Sequence, residues 1–151
     1  MCTSFIKPSS FSLERENLAA MGRTVLIAES NLAFLKVLES TFGVLGFSVV
    51  GTASEPSEIA AIAHKTRPDL LIFDLSLSKG GVKSVSDLKQ LKQQLPGLKI
   101  LATGFHEAVD EIIEPVLKAG FDAFWSKSDN RAGFLRTLSA LFPDFVKSRL
   151  S

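Results

Sequence analysis

Side chains able to do chemistry recur at one kind of place in this sequence, directly behind short apolar runs. Glu29 and Ser30 follow Thr24 to Ala28, Asp74 and Ser76 follow Leu70 to Phe73, Thr103 closes Lys99 to Thr103, and Lys127 follows Phe121 to Trp125. Singly, each has an ordinary structural explanation. An Asp caps the next turn, Thr is a common strand residue, and an acid ahead of a helix suits its N-terminus. As a set they are an acid cluster, a hydroxyl and an amine. A carboxylate can act as a nucleophile, oxygens around it can hold a divalent cation against incoming phosphate charge, and a hydroxyl and an ammonium can bind phosphate oxygens afterwards. That chemistry would suit Asp74 as an acceptor of a phosphoryl group. Asp74, Glu29 and the backbone carbonyl of Ser76 supply metal oxygens, and Thr103 and Lys127 hold the phosphate. A structural ion pair of Lys127 with Asp74 is compatible with the same role.

The elements that must bring these residues together are legible in the hydrophobic pattern. Five apolar runs, Thr24 to Ala28, Phe47 to Gly51, Leu70 to Phe73, Lys99 to Thr103 and Phe121 to Trp125, start 23, 23, 29 and 22 residues apart. That spacing is one strand, one helix and two short loops. Val25 to Ala28 and Leu70 to Phe73 are continuous rather than alternating, as suits strands covered on both faces of a parallel sheet. Between the runs the period changes to that of helices. The stripes are Leu32, Leu35, Leu38, Phe42 and Leu45; Ile59, Ile62 and Ala63, with Ser54 as N-cap and Pro56 in the first turn; Val85, Leu88, Leu91 and Leu95, stopped by Pro96-Gly97; Val109, Ile112, Ile113, Val116 and Leu117, closed by Gly120; and Leu135, Leu138, Leu141 and Phe142 before Pro143. Repeated strand-helix units with short loops imply an open, doubly wound α/β sheet with right-handed crossovers, whose chemistry gathers at the carboxyl ends of the strands.

Composition bounds the rest. The chain has 151 residues, 17 basic and 16 acidic, for a net charge of +1. One domain of 23–142 accounts for most of it. Residues 1–22, Ser-rich and containing Pro8, read as a flexible extension, with Met21 an alternative start, and residues 143–151 as a short tail too small for an output domain. A near-neutral chain lacks the field for sequence-independent nucleic-acid binding. Cys2 is the only cysteine and His64 and His106 the only histidines, which argues against a disulfide framework or a zinc site and leaves Cys2 inert. No uncharged stretch is long enough to span a membrane, and no signal peptide is evident, so a cytoplasmic protein is expected.

Four segments together resemble the receiver domain of two-component response regulators: Val25-Leu26-Ile27-Ala28-Glu29, Arg67 to Leu75, Leu101-Ala102-Thr103-Gly104 and Lys118 to Lys127. The likeness covers about residues 24 to 140. It implies a flavodoxin-like, five-stranded parallel sheet of order 2-1-3-4-5 with helices on both faces. It also implies Asp74 as phosphoacceptor, Thr103 as switch hydroxyl, Lys127 as its partner, Phe124 at a switch position that often carries Tyr, and Mg²⁺ as cofactor. The phosphodonor would be a histidine kinase or phosphotransfer protein, and the output a protein-protein contact by a stand-alone receiver. Enzymatic activity would be at most self-phosphorylation and autodephosphorylation at Asp74.

The chain departs from the family pattern at Ser30, where a second acid is usual, at Phe124, which has no hydroxyl, and at Ser128, where Pro is common. One lost carboxylate removes a gross attraction of ~8 kcal/mol at 4 Å and an effective dielectric near 20. After desolvation this predicts Mg²⁺ binding weaker by roughly 1 to 3 kcal/mol. The alternative is a phosphorylation-independent pseudo-receiver acting as an interaction module. An aspartyl phosphatase would want an acid at Ser76, and a nucleotide or flavin binder a Gly-rich or Ser/Thr-rich first loop. In receivers the face of fourth helix, fifth strand and fifth helix is the usual dimer surface. Here Glu107, Asp110, Glu111 and Glu114 oppose Arg131 and Arg136, which suits either a solvated mixed-charge surface or a homodimer through that face.

Overall fold

A computed structural model describes residues 22–78, 82–105, 118 and 120–144. In chain order it contains β1 (Thr24–Ala28), α1 (Leu32–Val44), β2 (Ser48–Ala53), α2 (Pro56–Thr66), β3 (Leu70–Asp74), a 3-10 turn (Leu75–Ser78), α3 (Val82–Gln94), β4 (Lys99–Gly104), β5 (Ala123–Ser126) and α4 (Arg131–Leu141). All strand pairs are parallel, in the order β2-β1-β3-β4-β5. This is the expected 2-1-3-4-5 sheet. The expected fourth helix, Val109 to Leu117, lies outside the described residues, as do Cys2, Met21, His106 and the four acids of the proposed dimer face.

The two faces of the sheet divide the core by the strand period of two. Val25, Ile27, Leu70, Ile72, Leu101 and Trp125 pack against α1 and α4. Leu26, Leu71, Phe73, Ile100 and Ala102 pack with residues of α2 and α3. β1 and β3 are therefore covered on both sides, which is why their sequences are unbroken apolar runs.

The ends of the elements explain where sequence reading slips. On α1, Leu32 is 68 % exposed and Phe34 joins the core instead. The stripe read from Leu32 differs from the observed face only in the first turn, where the helix turns Leu32 away from the sheet. The N-cap of α2 is Glu55 rather than Ser54. The Glu58 carboxylate reaches back to accept from the N–H groups of both Ser54 (2.9 Å) and Glu55 (3.0 Å), which moves the helix start by one residue. β2 starts at Ser48 and β5 at Ala123, each later than its apolar run, because Phe47 and Phe121 anchor the loops that lead into them. Gly46, two residues past the end of α1 and with φ 92°, closes it, the N–H of Phe47 reaching the carbonyl of Phe42 and that of Gly46 the carbonyl of Gly43. This left-handed residue closes the helix without the cost a side chain would incur there.

The amino edge of the sheet is pinned by two carboxylates. Asp69 accepts from the Thr24 N–H at 2.8 Å. Asp122 accepts from the Ile100 N–H at 2.8 Å and from Lys92 at 2.6 and 2.7 Å. With that edge fixed, the strand lengths set where the carboxyl ends fall.

Candidate functional site

Asp74 is the last residue of β3 and pairs in register with Thr103 of β4. Glu29 lies one residue beyond β1, and its N–H donates to the Ala53 carbonyl at 3.0 Å. Lys127 lies one residue beyond β5, its N–H bonded to the Gly104 carbonyl at 2.7 Å. Parallel register thus delivers the acids, the hydroxyl and the amine to one rim, and Glu29, Asp74 and Thr103 are all buried.

The Lys127 ammonium stands between the carboxylates, 3.0 Å from Glu29 Oε2 and 3.4 Å from Asp74 Oδ2. The Asn31 N–H also donates to Glu29 Oε2, at 3.0 Å. Asp74 Oδ2 accepts from the Ser30 hydroxyl (2.9 Å), the Ser30 N–H (3.4 Å) and the Ser76 hydroxyl (2.8 Å), and Oδ1 accepts from the Ser76 N–H (3.0 Å). Two carboxylates this close to one cation divide unequally. Burial pushes Glu29 above the usual carboxylate range, against the opposing Asn31 N–H. Burial acts the same way on Asp74, but the neighbouring Glu29 carboxyl and the hydrogen bonds from Ser76 and Ser30 outweigh it and hold the carboxyl at about 2. Asp74 is thus the more acidic member of the pair.

Two buried oxygens have no hydrogen-bond partner among the described residues, Glu29 Oε1 and Thr103 Oγ1. An orphaned buried acceptor costs about 1–3 kcal/mol, so each marks a place where a ligand would be stabilising. Among the described residues no group of three or more His, Cys, Asp or Glu converges. The oxygen donors present are therefore two carboxylates with the hydroxyls and backbone of Ser30 and Ser76. Such a set fits a hard divalent cation that keeps several waters, as Mg²⁺ does.

The site opens into a cleft of about 460 Å³ whose polar wall is Ser30, Asp74, Ser76 and Lys127, and whose apolar wall includes Phe34 and Phe105. The Lys127 ammonium lies 4.8 Å from the Phe34 ring centre and 5.4 Å from that of Phe105. Another cleft of about 350 Å³, between α2 and α3, has only exposed His64 and Asp87 as its ionisable groups. The Phe124 ring lies over Gly104, where a Cβ would meet it at 3.4 Å.

Of the residues singled out from sequence, Glu29, Ser30, Asp74, Ser76 and Lys127 form one connected network, and Thr103 joins it by register. Ser76 contributes its N–H and hydroxyl to Asp74. Sequence reading missed Phe34, Phe105 and Asn31. Phe34 was in principle recoverable, because Phe34, Leu35, Leu38, Phe42 and Leu45 form a helical stripe as regular as the one starting at Leu32.

The model of the response regulator receiver domain matches residues 25–138. The chain belongs to that family. Receiver domains work with histidine kinases or phosphotransfer proteins in two-component signalling. The chain is 35 % identical over 81 residues to the response regulator VraR of Staphylococcus aureus, covering 53 % of this chain and 37 % of VraR. It is 29 % identical over 123 residues to a Pseudomonas aeruginosa protein provisionally named a transcriptional regulator, covering 81 % of this chain and 58 % of that one. The chain thus spans well under two thirds of these relatives. Among solved structures, RcsB of Salmonella enterica bound to promoter rprA superposes with a TM-score of 0.67 at 21 % identity, over 79 % of this receiver and 98 % of that chain. The receiver domain of a Bacteroides fragilis regulator gives 0.65 at 20 %, over 78 % and 95 %. These likenesses concern the fold. No described helix of the receiver is long and apolar enough to cross a membrane.

Proposed function

We propose that this receiver accepts a phosphoryl group on Asp74 from a histidine kinase or phosphotransfer protein in the cytoplasm, and passes the signal on through protein-protein contacts. The observation that carries the reading is Asp74 itself. It is a buried, ionised carboxylate at the end of the central strand, with a lysine ammonium at 3.4 Å and the partnerless Thr103 hydroxyl on the neighbouring strand. Glu29 and Asp74, with the Ser76 backbone carbonyl, would hold Mg²⁺, which supplies neutralisation of the incoming phosphoryl charge. Lys127 exchanges part of its contact with Glu29 for the phosphoryl oxygens, and Thr103 Oγ1 gains the partner it lacks. The new contacts favour a second arrangement of the rim, which Phe124 over Gly104 is placed to sense.

The test is incubation with acetyl phosphate and Mg²⁺, followed by intact mass. A gain of one phosphoryl group that disappears in Asp74→Asn supports the reading. No gain under any metal condition would leave the pseudo-receiver, which Ser30 in place of an acid favours.

A further inference from the structure

Ser30 stands where a second acid is usual in the family, and its hydroxyl nevertheless makes a defined contact. Around Asp74 the donors are unevenly shared. Oδ2 faces Ser30 Oγ at 2.9 Å, Ser76 Oγ at 2.8 Å, the Ser30 N–H at 3.4 Å and Lys127 Nζ at 3.4 Å. Among the described residues Oδ1 accepts only the Ser76 N–H, at 3.0 Å. The two hydroxyl oxygens are 3.1 Å apart. Each carries one proton, so either both protons point at Oδ2 or one hydroxyl relays to it through the other. In both arrangements Oδ2 is the donor-rich oxygen.

Resting on the phosphoacceptor reading above, we propose that Ser30 is a positioning residue for Asp74. Its hydroxyl, together with that of Ser76, engages Oδ2 and fixes the carboxylate plane at the mouth of the cleft that Ser30, Ser76 and Lys127 line. The terminal torsion of an Asp side chain is broad, and without such donors the carboxylate plane could rotate. Charge-assisted hydrogen bonds are the strong kind, and two hydroxyls on one oxygen hold the plane in one orientation. Ser30 is itself held. It lies between Glu29, whose carboxylate accepts from Asn31, and Asn31, whose side chain caps α1 at the Phe34 N–H (2.9 Å). In the transfer step a bond forms between an Asp74 carboxylate oxygen and phosphorus, and the P–N bond of a phosphohistidine, or the P–O bond to acetate in acetyl phosphate, breaks. The bonding pair leaves with imidazole, which takes a proton from solvent, or with acetate, which needs none.

The experiment compares wild type, Ser30→Ala and Ser30→Thr, using acetyl phosphate and Mg²⁺ with intact-mass kinetics. In parallel it reads the ¹³C resonance of the Asp74 carboxyl, assigned by its loss in Asp74→Asn. Ser30→Ala is expected to slow the maximal rate about 5- to 30-fold, with the half-saturating acetyl phosphate changed less than about two-fold. The carboxyl resonance should move in Ser30→Ala. Ser30→Thr, which keeps the hydroxyl, should recover both rate and resonance. An unmoved resonance, or an unchanged rate in a folded Ser30→Ala, overturns the proposal. If wild type takes up no phosphoryl group at all, the phosphoacceptor reading fails separately, and the resonance still shows whether the Ser30 hydroxyl holds Asp74.

Discussion

Lys127 is the counter-ion of two buried carboxylates at once, and the site's resting state depends on it. Removing one member of a buried, hydrogen-bonded charge cluster leaves the others uncompensated, at a cost of about 3–5 kcal/mol. Lys127→Met should therefore lose stability of that order in chemical denaturation. Millimolar Mg²⁺ should restore more stability to it than it adds to wild type, because the cation then binds only the folded carboxylate pair. Protonation has its own signature. Asp74, held at about 2 against an ordinary 3.8, stabilises the fold above its ordinary value, and that contribution is lost as pH falls through about 2. Glu29 is raised and acts oppositely, favouring the fold in acid and losing that contribution as pH rises through its folded value. Between about pH 4 and pH 2, wild type should lose ~2 kcal/mol more than Asp74→Asn, as read by urea midpoints at each pH. Equal losses would show that Asp74 is not held below its ordinary value.

At the scale of elements, the loop from β1 into α1 does two jobs, starting a helix and setting Ser30 beside Asp74. Asn31→Ala removes the cap at the Phe34 N–H and should cost about 1 kcal/mol of thermal stability. β2 has a tighter constraint. A Cβ on Gly51 would meet Ile62 Cγ2 at 2.7 Å and Leu26 Cδ1 at 3.4 Å, at a point where the β1–β2 register shifts. Gly51→Ala should therefore destabilise by about 1–3 kcal/mol in denaturant melts, since the stiff Ile62 branch must move. These elements also show what a sequence can and cannot display. The runs of β1 and β3 announce themselves because both faces are buried, and their ends place Glu29 and Asp74 correctly. The first turn of α1 does not, because Leu32 and Phe34 continue the stripe equally well. Only packing over Trp125, on which Phe34 stacks with centroids 6.3 Å apart, chooses between them. The α2 cap is similar, since Ser54 and Glu55 are both acceptable until the Glu58 carboxylate is seen to take both N–H groups.

Across the whole molecule, one chain of contacts links the site to α4. Lys127 lies over Phe34, Phe34 stacks on Trp125, and Trp125 packs edge-on against Phe134 of α4 at 4.9 Å. Trp125 is the only tryptophan and is buried, so its emission should shift when Mg²⁺ or a phosphoryl group draws Lys127 away. Phe34→Leu should blunt that shift without abolishing Mg²⁺ binding measured by calorimetry. Arg131 and Arg136 are exposed on α4, as a dimer paired through the acids of residues 107–114 requires. Sedimentation should then show self-association that weakens with salt. A monomer at high concentration and low salt would rule the dimer out. By itself the sequence determined the parallel sheet, its strand order through resemblance, and the convergence of Glu29, Asp74, Thr103 and Lys127, because apolar periodicity fixes which residues stand at strand ends. Tertiary structure alone decided that Lys127 bridges both acids and that Ser30 is a donor to Asp74 rather than merely a missing acid. Those facts depend on side-chain distances across strands far apart in the chain, which no local pattern encodes.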